Sequence, residues 1–143
     1  MKRVLIFVLA MSSGAAAAVA HDHATGIVKE RMDLMEDMAK RMKAIDAAIK
    51  GAAEVAAIKA QAKAIADGAP HILHLFPRGS LQRPTRARST IWKEWPDFEN
   101  RTRELEAESK KLADISEREA VAAQARAVSR ACSGCHEKYR VRR

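Results

Sequence analysis

The chain has 143 residues, of which 48% are hydrophobic and 31% charged, with a formal charge of +8. That length suits one compact domain rather than several. The positive excess would suit nucleic acid, but the opening residues, taken next, read as an export signal, and long-range attraction of an acidic partner is the better use of the charge in a protein expected to be exported.

The opening stretch MKRVLIFVLAMSSGAAAAVA has the parts of a secretory signal peptide: Lys2 and Arg3 form the basic start, Val4 to Met11 the apolar centre, and Ala18-Val19-Ala20 the small-residue cleavage site. Its apolar run is too short to cross a bilayer as a helix. Residues 1–20 are therefore expected to be removed, leaving a single domain over residues 21–143 in the periplasm. Lys2 and Arg3 leave with the signal, so the mature chain carries +6 rather than +8. Export also makes a disulfide permissible. Cleavage after Ala20 would expose His21-Asp22-His23, a terminus able to bind copper or nickel in a square plane, although terminal histidines are ordinarily just solvated.

Helical periodicity runs through the rest. Val28, Met35, Met42 and Ile49 recur at intervals of seven, joined by Met38 and Ile45, which predicts an amphipathic helix over about 24–50 closed by Gly51. Val55, Ile58, Ala62, Ile65, Ala69, Ile72 and Phe76 alternate in steps of three and four and predict a second helix, interrupted at Pro70, which has no N–H to donate. Pro77 and Gly79 open the loop PRGSLQRPTRARST, polar and rich in arginine. A third helix is expected to begin near Pro96 and to turn Phe98, Leu105 and Leu112 inward. Ser116 to Glu119 (SERE) fits a capping box opening a fourth helix, on which Val121, Ala125, Val128, Cys132, Cys135 and Tyr139 share a face. Four helices and no strand run predict an all-α protein, an antiparallel four-helix bundle.

The chemistry concentrates at the end of that last helix. Cys132-Ser133-Gly134-Cys135-His136 has the C-x-x-C-H spacing of c-type haem attachment. On a helix, residues three and four apart lie on one face, so both thiols and the imidazole can converge on one macrocycle. Gly134, lacking a Cβ, would keep bulk off the attached ring. A structural zinc site needs about four protein ligands and finds no second cysteine pair here. A redox C-x-x-C belongs in a βαβ setting. A local disulfide is allowed but gives the following histidine no purpose. His71 and His74 could form part of a metal site, yet no acidic or thiol partner lies near them in sequence, and histidines flanking a packed helix end are the plainer reading. Glu104, Glu106 and Glu108 mix with the Lys and Arg of the same helix as a solvated face. No nucleophile–base–acid set is evident, so no enzyme is expected.

A C-x-x-C-H close to the C-terminus of an all-helical chain resembles the class II cytochromes c, that is cytochrome c′ and its low-spin relatives such as the cytochrome c-556 branch. The resemblance runs from about Ile27 to Arg140 and includes KERMDLM, LFPRGS, IWKEWPDFE and CSGCHEKYR. It implies a bundle holding one covalent haem c through Cys132 and Cys135, with His136 as the proximal iron ligand. It also implies that Met35, on the first helix, faces the distal side of the iron and binds it, although Met32, Met35, Met38 and Met42 crowd one helix and methionine is a common filler of cores. By the same resemblance Arg31 contacts a haem propionate and Arg140 lies near the proximal ligand's exposed face, while either could equally be a solvated charge. Trp92, Trp95, Phe76 and Phe98 are expected to cover haem edge or core.

The expected function is single-electron transfer by a six-coordinate His/Met haem. A five-coordinate cytochrome c′ binding nitric oxide or carbon monoxide is the competing reading, and a haem-free helical interaction protein the third. The loop through Arg78, Arg83, Arg86 and Arg88 is expected to help dock an acidic redox partner, and the resemblance implies a homodimer through the first two helices.

Overall fold

Apolar side chains at helical spacing set four long helices, and two single-turn helices fill the connection between the second and third of them. In the computed structural model of the protein, which describes residues 24–51 and 53–142, these are α1 (Gly26–Lys50), α2 (Val55–Gly68), α3 (His71–His74), α4 (Thr90–Lys93), α5 (Trp95–Asp114) and α6 (Arg118–Tyr139). The expected export signal over 1–20 and the histidines His21 and His23 lie outside the described residues.

The stripe predicted for α1 faces inward. Val28, Met38 and Ile45 are buried, and Met35, Met42 and Ile49 pack against the core from its edge. Gly51 ends the helix, its N–H closing onto Ala47 O at 2.8 Å. On α2 the buried set is Ile58, Ala62, Ile65 and Ala66, and it continues past the Pro70 interruption through Ala69, Ile72 and Phe76. Pro70 stays in the right-handed helical region (φ −60°, ψ −29°), so the missing N–H splits α2 from α3 without turning the chain away. Gly68 sits where α1 and α2 cross: a Cβ there would meet Met38 Cε at 3.0 Å and Leu34 Cδ1 at 3.4 Å, so glycine permits the close approach.

Pro96 occupies the first turn of α5, and Phe98, Thr102, Leu105, Ser109 and Leu112 form its buried face. The capping box expected at Ser116 does not form. Helix α6 is capped from Glu117 with no side-chain hydrogen bond, and its start is fastened instead by Arg118 Nη1 donating to Ala53 O at 2.6 Å. Val121, Ala125, Val128, Ala131 and Tyr139 are its buried residues, with Cys132 and Cys135 half-buried beside them.

Helix α1 packs on α2, α2 on α5 and α5 on α6, while α6 and α1 meet only sparsely. This is an antiparallel four-helix bundle. The wedge between α1 and α6 is the feature that matters for function. No helix among the described residues is long and apolar enough to cross a membrane.

Candidate functional site

Between α1 and α6 lies a cavity of about 580 Å³, within the range of roughly 300–1,000 Å³ typical of cofactor sites. Its floor is apolar, with Ile65, Ile72, Phe76, Ile91, Phe98 and Leu105 among the lining side chains. Phe98 is the hub of that floor: its ring centroid lies 5.0 Å from that of Phe76 and 5.3 Å from that of Tyr139, both edge to face, a favoured aromatic geometry.

Cys132, Cys135 and His136 line one wall. Their spacing on α6 accounts for this directly, since steps of three and four return to the same helix face. Both cysteines are free thiols. Burial raises the Cys132 pKa, and burial, opposed by Arg101, raises that of Cys135 to about 11. His136 is pushed the other way, to about 4, by burial and then by the positive charges of Arg140 and Arg86. A neutral imidazole, which has a lone pair to give a metal, is the form this environment favours.

The opposite wall comes from α1 and carries Arg31, Met32, Met35, Met38 and Met42. Arg31 is only 3% exposed. Its Nη2 donates to Ser80 O at 2.7 Å and to Ser80 Oγ at 3.3 Å, and its guanidinium lies 4.3 Å from the Phe76 ring centroid. Gly79, at φ +84°, makes the turn that presents the Ser80 carbonyl to it; an L side chain would be strained there. Burial lowers the Arg31 pKa. Its Nε and Nη1 are buried without a hydrogen-bond partner, a costly arrangement for charged donors that an anionic oxygen would relieve.

These features fit a c-type haem. Two thiols suit the thioether bonds, a neutral imidazole suits the iron, and a guanidinium with unpartnered buried N–H groups suits a propionate. The apolar walls suit the macrocycle.

The sequence expectations divide against this geometry. Met35, Arg31, Cys132, Cys135, His136 and Arg140 all line the one cavity, as do Phe76 and Phe98. Trp92 and Trp95 are not among the cavity-lining residues and meet the other half of the expectation, packing against the core, with Trp92 Nε1 donating to Phe76 O at 2.9 Å. His71 and His74 are exposed, and no group of three or more metal-binding side chains occurs among the described residues. Gly134 faces the side chain of Arg101, itself a cavity-lining residue, whose Nη1 would lie 3.1 Å from an added Cβ.

Sequence reasoning missed a polar cluster beside this wall. Tyr139 donates to Asp97 Oδ2 at 2.6 Å, Arg101 Nε reaches the same oxygen at 2.8 Å and Lys138 Nζ at 3.1 Å. Lys138 also pairs with Glu94 at 2.5 Å. The Tyr139, Arg101 and Lys138 bonds hold the Asp97 carboxyl well below the usual range, and burial with Asp97 raises the Tyr139 pKa to about 12. The Asp97–Arg101 spacing of four was the available signal, since such a pair aligns on one helix face.

Comparison with known proteins follows the same lines. Residues 26–140 match the family model described as Cytochrome C′. Among solved structures, the chain is similar to a cytochrome c′ with an unusual ligand-controlled dimer dissociation, at 28% identity and a TM-score of 0.76, covering 81% of this chain and 95% of that one. The cytochrome c′ of Thermochromatium tepidum is similar at 26% identity and a TM-score of 0.75, over 81% of this chain and 95% of that one. A structure of oxidised R. palustris cytochrome c556 aligns at 23% identity and a TM-score of 0.72, over 82% of this chain and 97% of that one; it shows the shared fold alone. No curated protein matches by sequence.

Proposed function

The chain belongs to the cytochrome c′ family, whose members bind one covalent haem c, and from that premise we propose that it is an exported, periplasmic electron carrier whose iron is held between His136 and Met35. One observation carries the reading: Met35 on α1 and His136 on α6 line the same cavity from opposite walls.

The bound haem supplies a one-electron Fe(III)/Fe(II) couple. Cys132 and Cys135 would hold it by thioether bonds to α6. His136 offers its imidazole lone pair, kept free of a proton by burial and by Arg140 and Arg86. Met35 offers a thioether sulfur, a soft neutral donor. A methionine–histidine pair favours the reduced iron more than strongly donating ligands do and suits electron transfer. Arg31, with Nη2 held on Ser80 O and Nε and Nη1 buried without a partner, would offer those two donors to a propionate. Ile65, Ile72, Ile91 and Leu105 line the cavity with apolar surface, which would limit the water that must reorganise when the charge of the site changes.

The test compares absorption spectra of the oxidised and reduced holoprotein with those of Met35→Ala. Conversion from low spin to high spin in the variant, with gain of carbon monoxide binding in its reduced form, is the expected result. Identical spectra would remove Met35 from the iron.

A further inference from the structure

Val141 is 48% exposed, and among the described residues it is the exposed large hydrophobic side chain. It sits on the tail that follows α6, and that tail is pinned to the loop before α4. Arg88 N donates to Tyr139 O at 2.9 Å and Val141 N to Arg86 O at 2.9 Å. Arg86 Nη2 donates back to Val141 O, and Ala87 and Arg140 form an antiparallel bridge. Two segments remote in sequence therefore make one continuous edge, which carries Arg86, Arg88, Arg140 and Arg142 beside Val141, with the exposed Arg83 three residues before Arg86.

This edge concentrates basic charge that local carboxylates do not offset, whereas among the described residues the helices mix paired cations with unpaired ones such as Lys43, Lys59, Arg126 and Arg130. On the helices, Lys29, Lys40, Arg41, Lys50, Lys63, Arg101, Arg103 and Lys110 each pair with a carboxylate four residues away. Among the described residues, Arg83, Arg88, Arg140 and Arg142 have no such partner. Residues 77–90 contain no acid. Glu94 and Asp97 are engaged by Lys138, Arg101 and Tyr139; Glu137 precedes the tail in sequence, and Glu36 of α1 lines the same cavity as Arg86 and Arg140. The edge also reaches the cavity, whose lining includes Pro84, Thr85, Arg86, Ala87 and Arg140.

We propose that this loop-and-tail edge is the docking surface for an acidic electron-transfer protein, with Val141 as the apolar anchor and the arginines as the surrounding charged rim. The proposal rests on the electron-carrier reading. Arginine is enriched at protein interfaces, and its planar fork engages carboxylates in pairs. One isolated valine is too little apolar surface for insertion into a bilayer, where an amphipathic face is needed; beside five arginines it suits a protein patch of acidic rim and small apolar centre. Docking here places the partner against the wall of the cavity. One electron then crosses, oxidising one centre as it reduces the other, with no bond made or broken.

The experiment uses the holoprotein with an acidic plastocyanin as the probe, and the triple variant Arg83→Gln, Arg88→Gln, Arg142→Gln, which leaves the cavity-lining Arg86 and Arg140 in place. Calorimetric titration should give a dissociation constant that weakens at least about tenfold between about 10 mM and about 200 mM salt. In the triple variant it should weaken at least about tenfold at low salt. Val141→Ser should weaken binding while leaving the salt dependence unchanged. Equal affinities for wild type and triple variant would overturn the proposal. So would binding to phosphatidylglycerol vesicles that the triple variant loses, with none to the acidic protein, because the edge would then serve a membrane. Oxidation by tris(phenanthroline)cobalt(III) separates the two readings. Fast rates in both wild type and variant, higher in the variant because it repels the trication less, keep the carrier function whatever happens to docking, whereas sluggish rates in both end the carrier reading independently of the titration.

Discussion

The Arg31 guanidinium of α1 lies 4.3 Å from the Phe76 ring centroid while its Nη2 donates to Ser80 O at 2.7 Å. This buried pairing ties α1 to the loop that follows α3, and it holds a positive charge at the cavity. Arg31→Met should remove the charge-assisted bond and cost about 1.5–3 kcal/mol in denaturant unfolding of the holoprotein. It should also lower the reduction potential measured by spectroelectrochemistry, because a cation at the cavity disfavours the oxidised, more positive iron. An unchanged or raised potential would place Arg31 outside the field of the haem.

The Asp97 cluster predicts an acid limit to stability. Bonds from Tyr139, Arg101 and Lys138 hold the folded carboxyl well below its unfolded pKa of about 3.9. A depressed folded pKa contributes stability that is complete above the unfolded value and is lost as pH falls below it. Wild type should therefore exceed Asp97→Asn in stability at pH near 7, and the two should converge as pH drops below about 4. Parallel unfolding curves at neutral and acid pH would show that the cluster is not coupled to folding.

Covalent attachment is tested without reference to spectra. The double variant Cys132→Ala, Cys135→Ala should yield a chain whose haem, if taken up, is extracted by acidified organic solvent and absent from haem-stained denaturing gels. The wild type should keep its haem under both treatments.

Leu112, 0% exposed on α5, does not line the cavity. Leu112→Ala should cost about 2–5 kcal/mol and leave the haem spectrum unchanged, which separates bundle stability from iron ligation.

Much of this was legible because it is local in sequence. The Cys132, Cys135 and His136 set needs only helical geometry to converge, and the α1 stripe from Val28 to Ile49 needs only its period. Arg31 and Ser80 are 49 residues apart, and Tyr139 and Asp97 are 42 apart; no periodicity joins such pairs, so their contacts appear only once the helices are packed. The SERE motif misled for a related reason. A capping box is a local device, and the start of α6 is held instead by Arg118 reaching Ala53 across the bundle. Met35 stands between these cases: helical spacing puts it on the inner stripe, but four methionines of α1 line the cavity, and only the family resemblance selects one.

The most direct measurement is the electron paramagnetic resonance spectrum of the ferric holoprotein as purified. Ligation by both His136 and Met35 predicts a purely low-spin signal. A high-spin signal would contradict it and return the protein to the five-coordinate, gas-binding reading.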